Sequence, residues 1–217
     1  MYGMSRRASP GQGTEPVTAI LDATLGVISR GGVDAVRFRE VSAASGVPLG
    51  TVTYHFRSRE ALLRAAFSHF LEENTRALQA TRAGFSPDEL GDVARYLTEV
   101  IRADFADPSR RVVAEYELIT YAARDPELCQ ALHAWQRLMV AELAAVLEPL
   151  GVAMPMSTAA TLADLVRGFQ LIHLGRGTDL LERDLADFTR RLHAFLRAAC
   201  AAHPDQETEN HHDQPQT

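Results

Sequence analysis

The chain has 217 residues, of which 46% are apolar and 23% charged, with a formal net charge of −6. This describes a soluble globular protein long enough for two unequal domains, and excludes a fibrous or wholly disordered chain. No apolar run approaches the roughly 20 residues that cross a bilayer. The opening MYGMSRRASPGQGT lacks the apolar core of a secretory signal, and the two distant cysteines, Cys129 and Cys200, form neither a disulfide framework nor a zinc pattern. The expected location is a reducing cytoplasm, with no membrane partner.

The charge is unevenly spread. Up to Ala66 there are eight arginines against five acidic residues; the remainder has 14 arginines against 23 acidic residues. Phosphate affinity follows the local face rather than the total, so the basic front end is free to meet a polyanion. Every cation in the chain is arginine.

Residues 1–14 are rich in Gly, Ser and Pro and read as a disordered arm. Arg6 and Arg7 could reach a groove, or belong to a solvated tail. A first helix is expected over residues 16–30, where Val17, Ile20, Leu21, Thr24, Leu25 and Ile28 form one stripe before Gly31-Gly32. A second is expected over 38–45 and a third over 49–56. Gly46 supplies the left-handed residue that ends the former, and Pro48 opens the latter. A fourth runs from a Ser58 cap to about residue 81. Ser86-Pro87-Asp88-Glu89 starts a fifth, Asp107-Pro108 a sixth, and Asp125-Pro126-Glu127 a seventh that ends at Gly151. An eighth covers 157–174 and a ninth 180–202. Residues 204–217 read as a disordered acidic tail. With no convincing strand, the fold class is all-α.

Two short helices joined by a glycine turn form a DNA-binding supersecondary unit whose second helix enters the major groove. In that second helix Leu49, Val52 and Phe56 recur at helical spacing and are expected to pack inward. Gly50, Thr51, Thr53, Tyr54 and His55 are left outside, with no acidic side chain among them. Hydroxyls and the Tyr tip suit phosphate oxygens, and Thr methyls suit thymine methyls.

The run RFREVSAASGVPLGTVTYHFRSREALL, from Arg37 to Leu63, resembles the TetR family of transcriptional regulators. The carriers are Arg39-Glu40-Val41, Ser45-Gly46-Val47, Thr53-Tyr54-His55-Phe56 and Ser58-Arg59-Glu60-Ala61-Leu62, without a gap. Two positions depart from the family pattern. Val36-Arg37 stands where a hydroxyl usually begins the second helix, and Thr53 replaces the first aromatic of the usual run.

The resemblance implies a helix-turn-helix DNA-binding domain over residues 15–60 and a larger helical effector-binding and dimerisation domain over 61–203. It implies a ligand-responsive regulator, most often a repressor, that binds a near-palindromic operator as a homodimer and is released by a small molecule. DNA contacts are then expected from Arg37, Arg39, Pro48, Gly50, Thr51, Thr53, Tyr54, His55 and Arg59. Arg39 could instead pair with a neighbouring acid. An effector pocket is expected to draw on Tyr96, Arg102, Glu115, Tyr116, His133, Trp135, Phe169 and His173, each of which could equally be a core residue or a solvated charge. The dimer face is expected from Leu162, Leu165, Val166 and Phe169 with Leu185, Phe188, Leu192 and Phe195; the alternative is that these stripes fill the subunit's own core.

No catalytic motif is present, so no catalytic residue, cofactor or metal site is expected. His211-His212-Asp213 lacks a scaffold, and the isolated cysteines read as small hydrophobes. The competing function class is a helical small-molecule-binding protein whose DNA binding is weakened or lost.

Overall fold

The computed structural model describes residues 14–201. Within them lie nine α-helices: α1 Thr14–Gly31, α2 Phe38–Ser45, α3 Leu49–His55, α4 Arg59–Gly84, α5 Leu90–Ala106, α6 Arg111–Ala122, α7 Pro126–Leu147, α8 Pro155–Arg176 and α9 Leu181–Ala201. Short 3-10 turns occupy Val33–Ala35 and Glu148–Leu150, and there is no strand among the described residues. The fold is all-α, with an N-terminal helix-turn-helix followed by further helices. The arm over residues 1–13 and the tail with His211, His212 and Asp213 lie outside the described residues.

Two compact units divide the chain. One holds the described residues up to Ala83 together with Ala103–Arg137; the other holds Gly84–Arg102 and the described residues from Leu138 on. In the first unit, Ile20 and Ile28 of α1, Val41 of α2, Val52 of α3, Leu62, Leu63 and Phe67 of α4 and Leu118 of α6 are completely buried in one apolar cluster. Each such side chain contributes roughly 1.5–3 kcal/mol by leaving water. In the second unit the side chains of Val93, Ile101, Leu147, Leu162, Leu185, Leu192 and Leu196 are completely buried.

The turn between α2 and α3 follows its sequence signals. Gly46 takes φ 69° and ψ 5° at the C-terminus of α2. The Ser42 hydroxyl donates to Val47 O at 2.7 Å, and Val47 N–H donates to Ser45 Oγ at 3.2 Å. These bonds satisfy main-chain groups that the helix ends leave open. Arg37 precedes α2 with no side-chain cap, while Val36, in the place of a hydroxyl, is fully buried.

Two expected helix starts differ. Asp107-Pro108 does not open α6: Asp107 accepts the Ser109 N–H at 2.9 Å and its carbonyl accepts Arg110 N–H at 3.0 Å, closing a turn. Helix α6 begins after Arg110, which holds a left-handed φ of 53°. Helix α8 starts at Pro155 rather than residue 157, because a proline at the first helical position lacks only an N–H that has no partner there.

Candidate nucleic-acid interface and ligand groove

Helix α3 is anchored by Val52, fully buried, and Phe56, 8% exposed. Leu49 does not join them: it is 38% exposed, which corrects the inward placement expected from spacing. In a seven-residue helix the first turn projects beyond the core that Val52 and Phe56 reach. The outer face therefore carries Leu49, Gly50, Thr53, Tyr54 and His55, with Thr51 half-buried. Tyr54 is 76% exposed, and its ring meets His55 edge-on with centroids 5.2 Å apart. The Thr53 hydroxyl donates back to the Leu49 and Gly50 carbonyls, both at 3.1 Å. Gly50 is open: a Cβ built there meets nothing within 4 Å.

Arg37 and Arg39 are exposed beside this helix, as are Pro48 and Arg57. Arg57 was not singled out from the sequence; its place in the loop that leaves the recognition helix, between Phe56 and Ser58, is the signal that could have found it. Arg59 differs from the expectation of a phosphate ligand. Its Nε donates to Val36 O at 3.1 Å, and its Nη2 donates to Val33 O at 2.6 Å and to Asp34 at 3.3 Å. Those acceptors turn the guanidinium into a clamp between the start of α4 and the 3-10 turn after α1. Ser58 Oγ accepts the Ala61 N–H, capping α4 as expected. The Glu60 carboxyl is lowered, first by its own backbone N–H and then by Ser58.

Helix α6 meets the same turn. Val33 N–H donates to Glu117 Oε2 at 3.3 Å, and Gly32 beside it sits at φ 74°, where a Cβ would come 3.1 Å from that carboxylate oxygen. Arg64 of α4 bonds Asp125 at 2.7 Å and Glu127 at 3.0 Å at the start of α7. The Arg64 hydrogen bond is the main cause holding the Asp125 carboxyl below its usual range, and Asp125 also caps α7 through the Glu127 N–H.

The expected effector residues are divided between the units. Glu115, Tyr116 and Trp135 are half-buried in the first, and His133 is exposed there, 3.9 Å from the Cys129 sulfur. In the second, Tyr96 stacks on Phe85 with centroids 4.5 Å apart. Arg102 is engaged by acidic partners. It is bound to Glu182 at 2.9 Å and to Glu99, a strut from α5 to α9, and these partners raise its pKa, Glu182 first.

Phe169 and His173 are brought together. Their rings stack at 4.0 Å, and Phe188 stacks on the other side at 4.5 Å. They line a groove of about 480 Å³ along α8 and α9 that also receives Asp184, Arg176 and Arg191. The two His173 ring nitrogens face acceptors, Phe169 O at 2.9 Å and Asp184 Oδ2 at 3.2 Å. The His173 hydrogen bond is the first cause lowering the Asp184 carboxyl.

The expected dimer residues need correction. Leu162, Leu185 and Leu192 have no exposed surface, and Phe188 and Phe169 have 3% and 6%. They fill the subunit's own interior and offer little to a partner. Leu165 is 40% exposed, and Val166 and Phe195 are half-buried. Ile172, at the same helical spacing on α8, is 53% exposed, and Leu171, not assigned from the sequence, is 58% exposed. Helix α8 is apolar on more than one side, so one stripe read from spacing mixed its inner and outer faces.

Residues 20–66 match the family described as bacterial regulatory proteins, tetR family. Residues 88–202 match the tetracyclin repressor-like C-terminal domain. The chain belongs to the TetR family of transcriptional regulators. Its helix-turn-helix is the DNA-binding motif of a TetR protein. It is 28% identical over 127 residues to the HTH-type transcriptional regulator CymR of Pseudomonas putida, a match covering 58% of this chain and 61% of that one. The match thus spans less than two thirds of that relative. A TetR member from Streptomyces coelicolor A3, SCO1917, is 29% identical, with 82% of this chain and 98% of that chain covered and a TM-score of 0.63. The multidrug binding protein EbrR, solved with proflavin, is 29% identical over 82% of this chain and 99% of its own, with a TM-score of 0.56. No helix among the described residues is long and apolar enough to cross a membrane.

Proposed function

We propose that this TetR protein is a ligand-responsive repressor that binds a near-palindromic operator as a homodimer. The observation that carries the proposal is the outer face of α3: an exposed, acid-free surface of Gly50, Thr53, Tyr54 and His55 on a helix anchored by Val52 and Phe56. Helix α3 enters the major groove. Tyr54, His55, Arg37, Arg39 and Arg57 contact phosphates, while Leu49, Gly50, Thr51 and Thr53 approach base edges and methyl groups. Pro48 starts the helix at the groove, and Arg59 positions α4 without touching DNA. On this proposal residues 15–60 dock and residues 61–203 bind effector and partner. The exposed apolar residues of α8 supply the dimer contact: Leu165 and Ile172 share one face and border the groove over Phe169 and His173, and Leu171 is exposed on the neighbouring face.

An effector acts by binding one state of the helical domain better than the other, to the extent of its differential affinity. Helices α4 and α6 carry that preference forward through the Arg59 clamp and the Glu117–Val33 bond. The proflavin complex of EbrR makes planar aromatic compounds the first class to screen by thermal shift.

Operator selection from random duplexes followed by gel shift tests the DNA assignment. Tyr54→Ala with His55→Ala lowers operator affinity, and log affinity falls linearly with log salt as phosphate contacts release counterions. Full affinity in the double variant refutes the interface. A flat salt response favours a ligand-binding protein that has lost its DNA function.

A further inference from the structure

His69 of α4 is nine-tenths buried, yet its Nε2 faces carboxylates rather than apolar groups. Asp22 Oδ1 of α1 lies 2.8 Å away, and Glu73 Oε1, one turn along α4, lies 3.7 Å away. One donor atom from each residue falls within 4.8 Å of the other two. His69 and Glu73 share a face because residues four apart on a helix are neighbours. Asp22 is brought opposite by the packing of α1 on α4, where Ile20, Leu21, Ala66, Phe67 and Phe70 are buried in the same cluster. The core thus fixes the two helices that carry the three side chains.

The electrostatics suit a cation. Arg111 holds Glu73 Oε2, which leaves Oε1 turned to His69. A donor on the far oxygen orients a ligating carboxylate. Its positive charge also weakens attraction for a second cation, so affinity is moderate. The Asp22 side chain is 53% exposed, leaving a route for entry and room for water ligands.

We infer that Asp22, His69 and Glu73 bind a first-row divalent cation of the zinc type, through one imidazole nitrogen and two carboxylate oxygens, and so cross-link α1 to α4. The imidazole favours such ions over magnesium or calcium. The site is separate from the residues assigned to DNA and effector.

The full-length protein is titrated with Co²⁺ alone, followed by calorimetry and visible absorption, and then with Zn²⁺ as competitor and in thermal shift. One Co²⁺ binds per chain and is displaced by Zn²⁺. Saturating Zn²⁺ raises Tm by about 3 °C or more. Asp22→Asn and Glu73→Gln preserve side-chain size and each weaken binding about tenfold or more. A variant lacking both His211 and His212 binds as the parent does. No Co²⁺ binding overturns the assignment. So does binding that Asp22→Asn and Glu73→Gln leave unchanged while Cys129→Ser or loss of His211 and His212 abolishes it. If His69→Gln fails to fold, the two carboxylate variants still decide the question.

Discussion

Gly50→Ala separates the stability of α3 from its use. Gly50 lies within the first turn of Leu49–His55, has no positive φ, and has open space where a Cβ would stand. Alanine therefore fits without strain and removes the backbone entropy that glycine loses on folding. The expected gain is about 0.5–1 kcal/mol. In a chain of this length that raises Tm by roughly 1–4 °C. On the proposed interface the same methyl enters the gap that the helix leaves for DNA, and the cost of a poor base-proximal fit is about 1–3 kcal/mol. Operator affinity should then fall by roughly 5–150-fold while the protein becomes more stable. Denaturant melts at fixed protein concentration and gel shifts at fixed salt measure the two quantities on one preparation. A variant that is stabilised and binds operator as tightly as the parent refutes close approach at Gly50.

Gly32→Ala should destabilise by about 1–3 kcal/mol, seen as a lower urea midpoint, because φ 74° with ψ 174° is a backbone region almost reserved for glycine. Leu171→Asp with Ile172→Asp should shift the protein toward monomer in sedimentation while leaving Tm nearly unchanged at concentrations where the parent is also monomeric. Leu185→Ala, which empties a fully buried position, should instead cost about 2–5 kcal/mol in denaturant melts. The carboxyls of Asp125, Asp184 and Glu73 are all lowered in the folded protein. Their contribution is present above the unfolded carboxylate range near pH 4 and is lost as pH falls through their lower folded values. Tm should therefore decline below about pH 5, and Asp125→Asn with Asp184→Asn should flatten that decline.

Helix existence was legible because its signals are local. Gly46 and Gly151 stop helices through left-handed backbone, and Ser58 caps α4 through its own hydroxyl. Asp107-Pro108 misled because an Asp that accepts an N–H two residues on closes a turn as readily as it starts a helix. The site was less legible because its deciding partners are distant in sequence. Arg59 looks like any arginine near a recognition helix until the Val33 and Val36 carbonyls, more than twenty residues earlier, are brought to it. Arg102 resembles a ligand donor until Glu182, eighty residues later, occupies it. Spacing finds the apolar positions of α8 but not which side of the helix is covered. Leu162 and Leu171 are equally apolar, and one is sealed while the other is exposed.

The Arg59 clamp grips two main-chain oxygens, and every amino acid has one of those. Substitutions that preserve the path of the turn at Asp34 or Ala35 leave both anchor oxygens on offer, whatever letters stand there. The arginine has no such freedom. A lysine ends in a single compact ammonium without the flat, forked reach to span both carbonyls at once, so mutational tolerance here should be lopsided, wide along the segment that is held and narrow at the residue that holds it.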